Sequence, residues 1–129
     1  MTTATALGVS LLFLCVSASA QQGSPPPFAC NLKAISASGR SRYNDLSKRV
    51  RGAIRGRSET TSGYAFTLDG NAVSLIEAAE WISFERLCCP FLTMQLSASG
   101  DQADWILALS GPQGVKPLLN AEFPPKRTE

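Results

Sequence analysis

Apolar residues recur along the chain with two periods, one typical of helices and one typical of strands. Helical spacing predicts a first helix, capped by Ser36 or Ser38. Its buried stripe consists of Tyr43, Leu46, Val50 and Ile54. A second helix is predicted over residues 72–89, because Pro90 cannot continue it. A short third helix follows Gly111-Pro112-Gln113-Gly114 and turns Val115, Leu118 and Leu119 inward.

The second helix carries apolar side chains on more than one side. Its predicted buried stripe consists of Leu75, Ala78, Ala79 and Ile82. Trp81 and Phe84 lie well off that stripe. Large side chains in that position predict either a second covered side or an interface. A homodimer through the Trp81 and Phe84 face is therefore one expectation.

Strict alternation predicts the strands. Tyr64, Phe66 and Leu68 alternate with small or polar residues in one segment, and residues 92–98 and 105–109 alternate in the same way. Residues 99–102 join the last two strands as a hairpin. The short apolar run from Phe28 to Leu32 predicts a first strand or its approach. The order β-α-β(β)-α-β-β-α predicts an α+β fold, a two-layer sandwich with helices on one face of a mostly antiparallel sheet, related in plan to ferredoxin-like folds.

The N-terminal residues have the layout of a secretory signal peptide. Residues 1–20 carry no charge, contain an apolar run too short to span a bilayer, and end in Ala18-Ser19-Ala20. We expect cleavage near Ala20 and export to the periplasm or the cell exterior. A misassigned start codon and a membrane-tethered N-terminus are the alternatives. Residues 21–27 then form a Pro-rich extended lead-in, residues 28–123 a single domain, and residues 124–129 a loose tail.

Charge is divided unevenly along the chain, although the formal net charge is only +2. Eight of the basic residues lie between Lys33 and Arg57, where Asp45 alone opposes them, and residues 61–110 are mainly acidic. A basic helix face can attract nucleic acid, but it is more often simply solvated. Since an exported protein rarely meets nucleic acid, we expect no nucleic-acid partner and no integral membrane domain.

The chain of 129 residues contains no histidine. This excludes Ser-His and Cys-His nucleophile pairs and His-based metal centres. The remaining chemistry depends on thiols, carboxylates, amines and hydroxyls.

The candidate site is the sequence Glu85-Arg86-Leu87-Cys88-Cys89-Pro90-Phe91. On a helix, Glu85 is a neighbour of the residues three and four positions later, so a carboxylate and two thiols converge at the helix end. Cys88 and Cys89 point about 100° apart on a helix, which makes a bond between them improbable. Cys30 is the expected third member.

Three interpretations of this cluster remain open. Cys30 can pair with Cys88 or Cys89 as a structural disulfide. Alternatively, Cys30, Cys88 and Cys89, with Glu85 as a fourth ligand, can bind a soft ion such as zinc, copper(I), mercury or arsenite. A thiol enzyme is the least favoured, because a helix C-terminus and a neighbouring carboxylate both disfavour a thiolate. We therefore expect a binding or structural protein rather than an enzyme.

Several motifs resemble a family of small bacterial proteins of unknown function. The most specific is E-R-x-C-C-P-F at residues 85–91, preceded by Glu80-Trp81-Ile82 and followed by G-P-x-G-V-K at residues 111–116. Residues 28–32 and 63–66 also fit the family pattern. The resemblance implies one domain and directs attention to the thiols, but it implies no reaction.

The sequence thus favours an exported α+β protein that binds a soft metal or metalloid ion through Cys30, Cys88, Cys89 and Glu85. The alternative is a disulfide-stabilised, non-catalytic binding or structural module.

Overall fold

A computed structural model describes residues 28–126. The predicted signal peptide, the Pro-rich lead-in and the last three residues of the tail lie outside this range. The chain forms a short 3₁₀ helix (Leu32–Ala34) and then α1 (Ala37–Ala53), β1 (Ile54–Thr60), β2 (Gly63–Leu68), α2 (Leu75–Cys88), β3 (Thr93–Ala98), β4 (Trp105–Ser110) and α3 (Lys116–Glu122). The predicted two-layer α+β fold is confirmed.

Two β-hairpins form one antiparallel sheet in the order β1-β2-β4-β3. Alternate residues of β2 and β4 are buried beneath the helices, including Phe66 opposite Leu107 and Leu68 opposite Trp105. The residues between them are small or polar apart from Ile106, which is exposed. The sheet therefore buries one face, as the period of two predicts.

Residues 28–32, predicted as a first strand or its approach, do not form a strand. Residues 28–31 are irregular, and the Asn31 side chain accepts a hydrogen bond from the Lys33 amide to begin the 3₁₀ helix. Strand propensity depends on the neighbours against which a segment packs, so a short run of mainly apolar residues does not by itself determine a strand. Here Phe28 instead packs its ring against Phe91, with 4.8 Å between ring centroids.

Caps determine where the two long helices begin. Ser36 accepts from the Gly39 amide at the start of α1, as predicted. The α2 helix begins at Leu75, three residues later than predicted, because Ser74 and Glu77 form a reciprocal capping box. Its last helical residue is Cys88, two residues before Pro90.

The buried stripe of α2 differs from the prediction. The residues that face the core are Ala78, Trp81, Glu85 and Cys88, whereas Leu75 is exposed. Trp81 is 1% exposed, and its Nε1 donates to Ser47 Oγ at 3.1 Å. Its ring also meets Phe123 edge-on. Trp81 is therefore not available to a second copy of the chain, and the structure does not support the expected homodimer face at Trp81 and Phe84.

The uneven charge of the sequence becomes a set of ion pairs between elements. Arg42 and Arg49 on α1 pair with Glu80 and Glu77 on α2. The other pairs are Arg51–Glu122, Arg55–Asp69, Arg55–Asp104 and Lys116–Glu59. Most of these side chains are substantially exposed, so each pair contributes little alone. Apart from Lys116–Glu59, each pair joins an arginine of the basic early segment to a carboxylate from a later part of the chain.

No helix between residues 28 and 126 combines the length and the apolar character that crossing a membrane requires.

Candidate functional site

The C-terminal end of α2 directs its two adjacent cysteines to different places. Cys88 is still helical and points into the core. Cys89 caps the helix with φ −126° and ψ 62°, and its amide donates to the Glu85 carbonyl at 2.7 Å. Since Cys89 has left the helical conformation, its side chain can reach a neighbouring segment.

That neighbouring segment carries Cys30. The Asn31 amide donates to the Cys88 carbonyl at 2.8 Å. This hydrogen bond joins the N-terminal segment, residues 28–31, to the end of α2. Cys30 and Cys89 form a disulfide with 4.8 Å between their Cα atoms, although 59 positions separate them in the sequence. The sequence allowed Cys30 to pair with either Cys88 or Cys89, and the fold selects Cys89.

Cys88 is the one cysteine among residues 28–126 that is outside the disulfide, and it is buried. Its Sγ lies 3.6 Å from Glu85 Oε2, 3.7 Å from the Glu85 carbonyl oxygen and 3.6 Å from Cys89 Sγ. Burial, reinforced by the Glu85 carboxylate, raises the pKa of the Cys88 thiol to about 11. Cys88 is therefore a neutral thiol near neutral pH. Because the thiolate is the nucleophilic form, this state disfavours Cys88 as the nucleophile of a thiol enzyme.

Glu85 is a buried carboxyl group at the centre of the site. It is 5% exposed, and Tyr43 Oη donates to its Oε1 at 2.8 Å. Burial raises the pKa of Glu85, while the hydrogen bonds from Tyr43 and Cys88 oppose that rise. The same burial raises the pKa of Tyr43, and the nearby Glu85 charge adds to this rise. The sequence predicts only a core role for Tyr43, because no local pattern links it to Glu85, which lies 42 positions away.

The structure brings Cys30, Glu85 and Cys89 together, and it places Cys88 next to Glu85 and Cys89. Ligand atoms of Cys30, Glu85 and Cys89 lie within 4.8 Å of one another, and Cys88 Sγ is 3.6 Å from both Glu85 Oε2 and Cys89 Sγ. The disulfide nevertheless engages two of the three sulfurs. A site with three thiolates is therefore available to a metal ion only after the Cys30–Cys89 bond is reduced.

A cleft of about 580 Å³ opens beside the disulfide, between α1, α2, α3 and the N-terminal segment. Cys30, Cys89 and Glu85 form part of its lining. Its other walls are largely aromatic and aliphatic, including Tyr43, Trp81 and Phe123, and its polar lining includes Lys48, Arg51 and Glu122. The sulfur cluster is thus adjacent to a space that a small ligand can enter.

Comparison of the chain with protein-family models, with curated proteins and with solved structures finds no match.

Proposed function

We propose that the protein, once reduced, binds a soft metal or metalloid ion through Cys30, Cys88 and Cys89, with Glu85 as an oxygen ligand. The proposal is supported by the grouping of Cys30, Cys89 and the buried Glu85 carboxyl at the end of α2, with Cys88 Sγ 3.6 Å from both Glu85 Oε2 and Cys89 Sγ. The disulfide then acts as a redox gate. Two electrons and two protons convert it to two thiols and open the site.

The donor set determines which ions suit the site. Three sulfur ligands favour soft ions, so copper(I), mercury(II) and arsenite are the first candidates. Zinc also accepts three cysteines and one carboxylate in tetrahedral geometry. Hard ions such as magnesium and calcium require mainly oxygen ligands and are disfavoured. Binding displaces protons from the thiols, so the raised pKa of Cys88 makes uptake depend on pH but does not prevent it.

Export is part of this proposal. An internal disulfide is typical of proteins in an oxidising compartment. The signal-peptide pattern of residues 1–20 points the same way. In the periplasm or outside the cell, the Cys30–Cys89 bond is expected to persist until a reductant opens it. The resemblance of the E-R-x-C-C-P-F motif to a bacterial protein family stays a prediction.

A second candidate function is a disulfide-stabilised binding module with no role for a metal ion. Two observations favour it: the disulfide itself, and the cleft of about 580 Å³ next to it. In this case Cys88 is a small apolar core residue, and Glu85 supports the fold through Tyr43.

Thiol counting combined with metal uptake distinguishes the two functions. The experiment uses the chain with Cys15→Ser, so that only the three clustered sulfurs are counted. Before reduction we expect one free thiol and no stoichiometric arsenite binding. After reduction and removal of the reductant under argon, we expect three free thiols and uptake of one arsenite or copper(I) ion per chain. If the reduced protein takes up no ion at this stoichiometry, the metal-site proposal is wrong and the disulfide-stabilised binding module is favoured.

Glu85→Gln tests the oxygen ligand. Gln keeps the shape and can still accept from Tyr43, but it lacks the carboxylate charge. We expect weaker binding of zinc in the reduced variant with unchanged far-ultraviolet circular dichroism. Glu80→Gln, on the same helix but in an exposed ion pair with Arg42, is the matched control. Equal zinc affinity in the parent and in Glu85→Gln removes Glu85 from the ligand set.

A further inference from the structure

The two sulfurs of the disulfide differ in their access to solvent. Cys89 is 1% exposed. Cys30 is only partly buried, although both residues form part of the cleft lining. Thiol–disulfide exchange requires a thiolate to approach one sulfur along the disulfide bond, so access decides which sulfur is attacked. An incoming thiolate reaches Cys30 and expels Cys89.

The disulfide is flanked by apolar residues on both of its segments. Phe28 and Leu32 lie two positions on either side of Cys30, and Leu87 and Phe91 lie two positions on either side of Cys89. Leu32 is 50% exposed and Leu87 is 54% exposed. Each of the two segments that the disulfide joins therefore exposes an apolar side chain close in sequence to its cysteine, and apolar surface of this kind can contact another protein.

We propose that the disulfide is a redox-active bond, opened by a protein dithiol with apolar flanking residues that attacks Cys30. In the first step a thiolate of the partner bonds to Cys30 Sγ, the Cys30–Cys89 bond breaks, and Cys89 leaves as a thiolate. In the second step the other partner thiol, as a thiolate, attacks the partner's sulfur in the mixed disulfide, the bond to Cys30 Sγ breaks, and Cys30 leaves as a thiolate that takes up a proton, as Cys89 does. The products are an oxidised partner and two thiols on this chain, so atoms and electrons balance. The exchange involves no metal ion and is tested separately from the ion site.

The geometry also assigns a positioning role to Cys88. Its Sγ lies 3.6 Å from Cys89 Sγ, the sulfur that becomes the leaving group. When Cys89 carries the negative charge, it is a stronger hydrogen-bond acceptor than a disulfide sulfur. The Cys88 S–H group then turns from Glu85 to Cys89 and stabilises the leaving thiolate. Cys88 therefore assists exchange as a donor, without acting as a nucleophile.

Mapping of the mixed disulfide tests which sulfur is attacked. The oxidised chain is treated with a small excess of 2-mercaptoethanol, quenched with acid and analysed by peptide mass spectrometry. We expect the adduct on Cys30 and a free thiol on Cys89. An adduct mainly on Cys89 or Cys88, or no adduct under conditions that reduce exposed disulfides, overturns the proposal. This measurement requires no variant.

Two peptides test the kind of partner. Both carry Cys-x-x-Cys, one flanked by leucines and the other by serines, so that they differ in apolar surface but not in charge. We expect the leucine peptide to reduce the disulfide several-fold faster. Equal reduction rates for the two peptides would contradict a surface specific for an apolar partner. The disulfide would then be accessible to any small thiol.

Two variants test the donor role of Cys88. Cys88→Ala removes the donor, and Cys88→Ser replaces S–H with O–H. We expect reduction by 2-mercaptoethanol to be about tenfold slower in Cys88→Ala, and close to the parent rate in Cys88→Ser. A structural role alone would alter unfolding in both variants without this difference in rate. Equal rates in the parent and in Cys88→Ala remove the donor role.

Discussion

Glu85 and Cys88 occupy positions of α2 that normally hold hydrophobic side chains. They follow Ala78 and Trp81 on the buried stripe, at spacings of three and four residues. A buried carboxyl group without partners is strongly destabilising. Here Tyr43 donates to one carboxyl oxygen and the Cys88 thiol lies near the other. The site is therefore built into the core from α1 and α2 together.

The raised pKa of Glu85 predicts a pH dependence of stability. The folded chain holds this proton more tightly than the unfolded chain, whose carboxyl group has its ordinary pKa near 4.5. Its stabilising contribution is therefore complete below about pH 4.5 and is lost as the pH rises through the folded pKa. We expect Glu85→Gln to gain stability relative to the parent over that rise, as measured by urea unfolding at stepped pH. A difference that is constant with pH would show that the Glu85 carboxyl group does not titrate abnormally.

At the scale of elements, close approach of strands explains the glycine at the start of β2. Gly63 is buried and pairs with Ser110 of β4. A Cβ at Gly63 would overlap the Leu109 carbonyl oxygen and crowd the Ser110 backbone. Gly52 in α1 is the opposite case, because a Cβ there meets no atom within 4 Å. Gly63 is therefore required by the close packing of the strands, whereas packing does not require a glycine at position 52.

Substitution by alanine should separate these two glycines. Gly63→Ala forces β2 and β4 apart, and we expect it to lower the free energy of unfolding by roughly 2–4 kcal/mol. Gly52→Ala should raise it by about 0.5–1 kcal/mol, because alanine restricts the unfolded chain and favours the helix. Urea unfolding of both variants provides the comparison. If Gly63→Ala is as stable as the parent, β2 and β4 have room for a Cβ at this position.

Across the whole molecule, the disulfide joins the beginning of the domain to its middle. The 59-position separation of Cys30 and Cys89 makes this a large loop closure. Besides the disulfide, the Asn31–Cys88 hydrogen bond and the Phe28–Phe91 ring pair connect Cys30 and its neighbours to the rest of the domain. Reduction should therefore loosen this segment before it affects the sheet.

Removal of the disulfide gives a prediction at this scale. In the chain-entropy description, a loop of this length stabilises the folded state by about 4 kcal/mol. We expect the double variant Cys30→Ser/Cys89→Ser to unfold with a free energy lower than that of the oxidised parent by about this amount. Cys88→Ser, which leaves the disulfide intact, is the control. A loss below about 1 kcal/mol would indicate that the unfolded chain is compact even without the bond.

The local sequence pattern was sufficient to predict most helices and strands and to identify the residues of the candidate site. The alternation in β2, β3 and β4 was predicted correctly, because each of these strands has one covered face. In the predicted stripe of α1, Tyr43, Leu46 and Val50 are buried, but Ile54 is the first residue of β1, because the helix ends at Ala53. The cluster of Glu85 with Cys88 and Cys89 was also predictable, since i, i+3 and i+4 neighbours depend only on helix geometry. The sequence alone thus determined the fold class and the proximity of Glu85 to the two adjacent cysteines.

Tertiary structure decided the pairing of Cys30 with Cys89, the inward orientation of Trp81 and Glu85, and the part that Tyr43 plays. Helical periodicity indicates which residues share a face, but not which face the rest of the chain covers. On α2 several faces are apolar, so packing against α1 and α3 made the choice. The pairing likewise required Cys89 to leave the helix while Cys88 remained in it, and that depends on where the N-terminal segment docks.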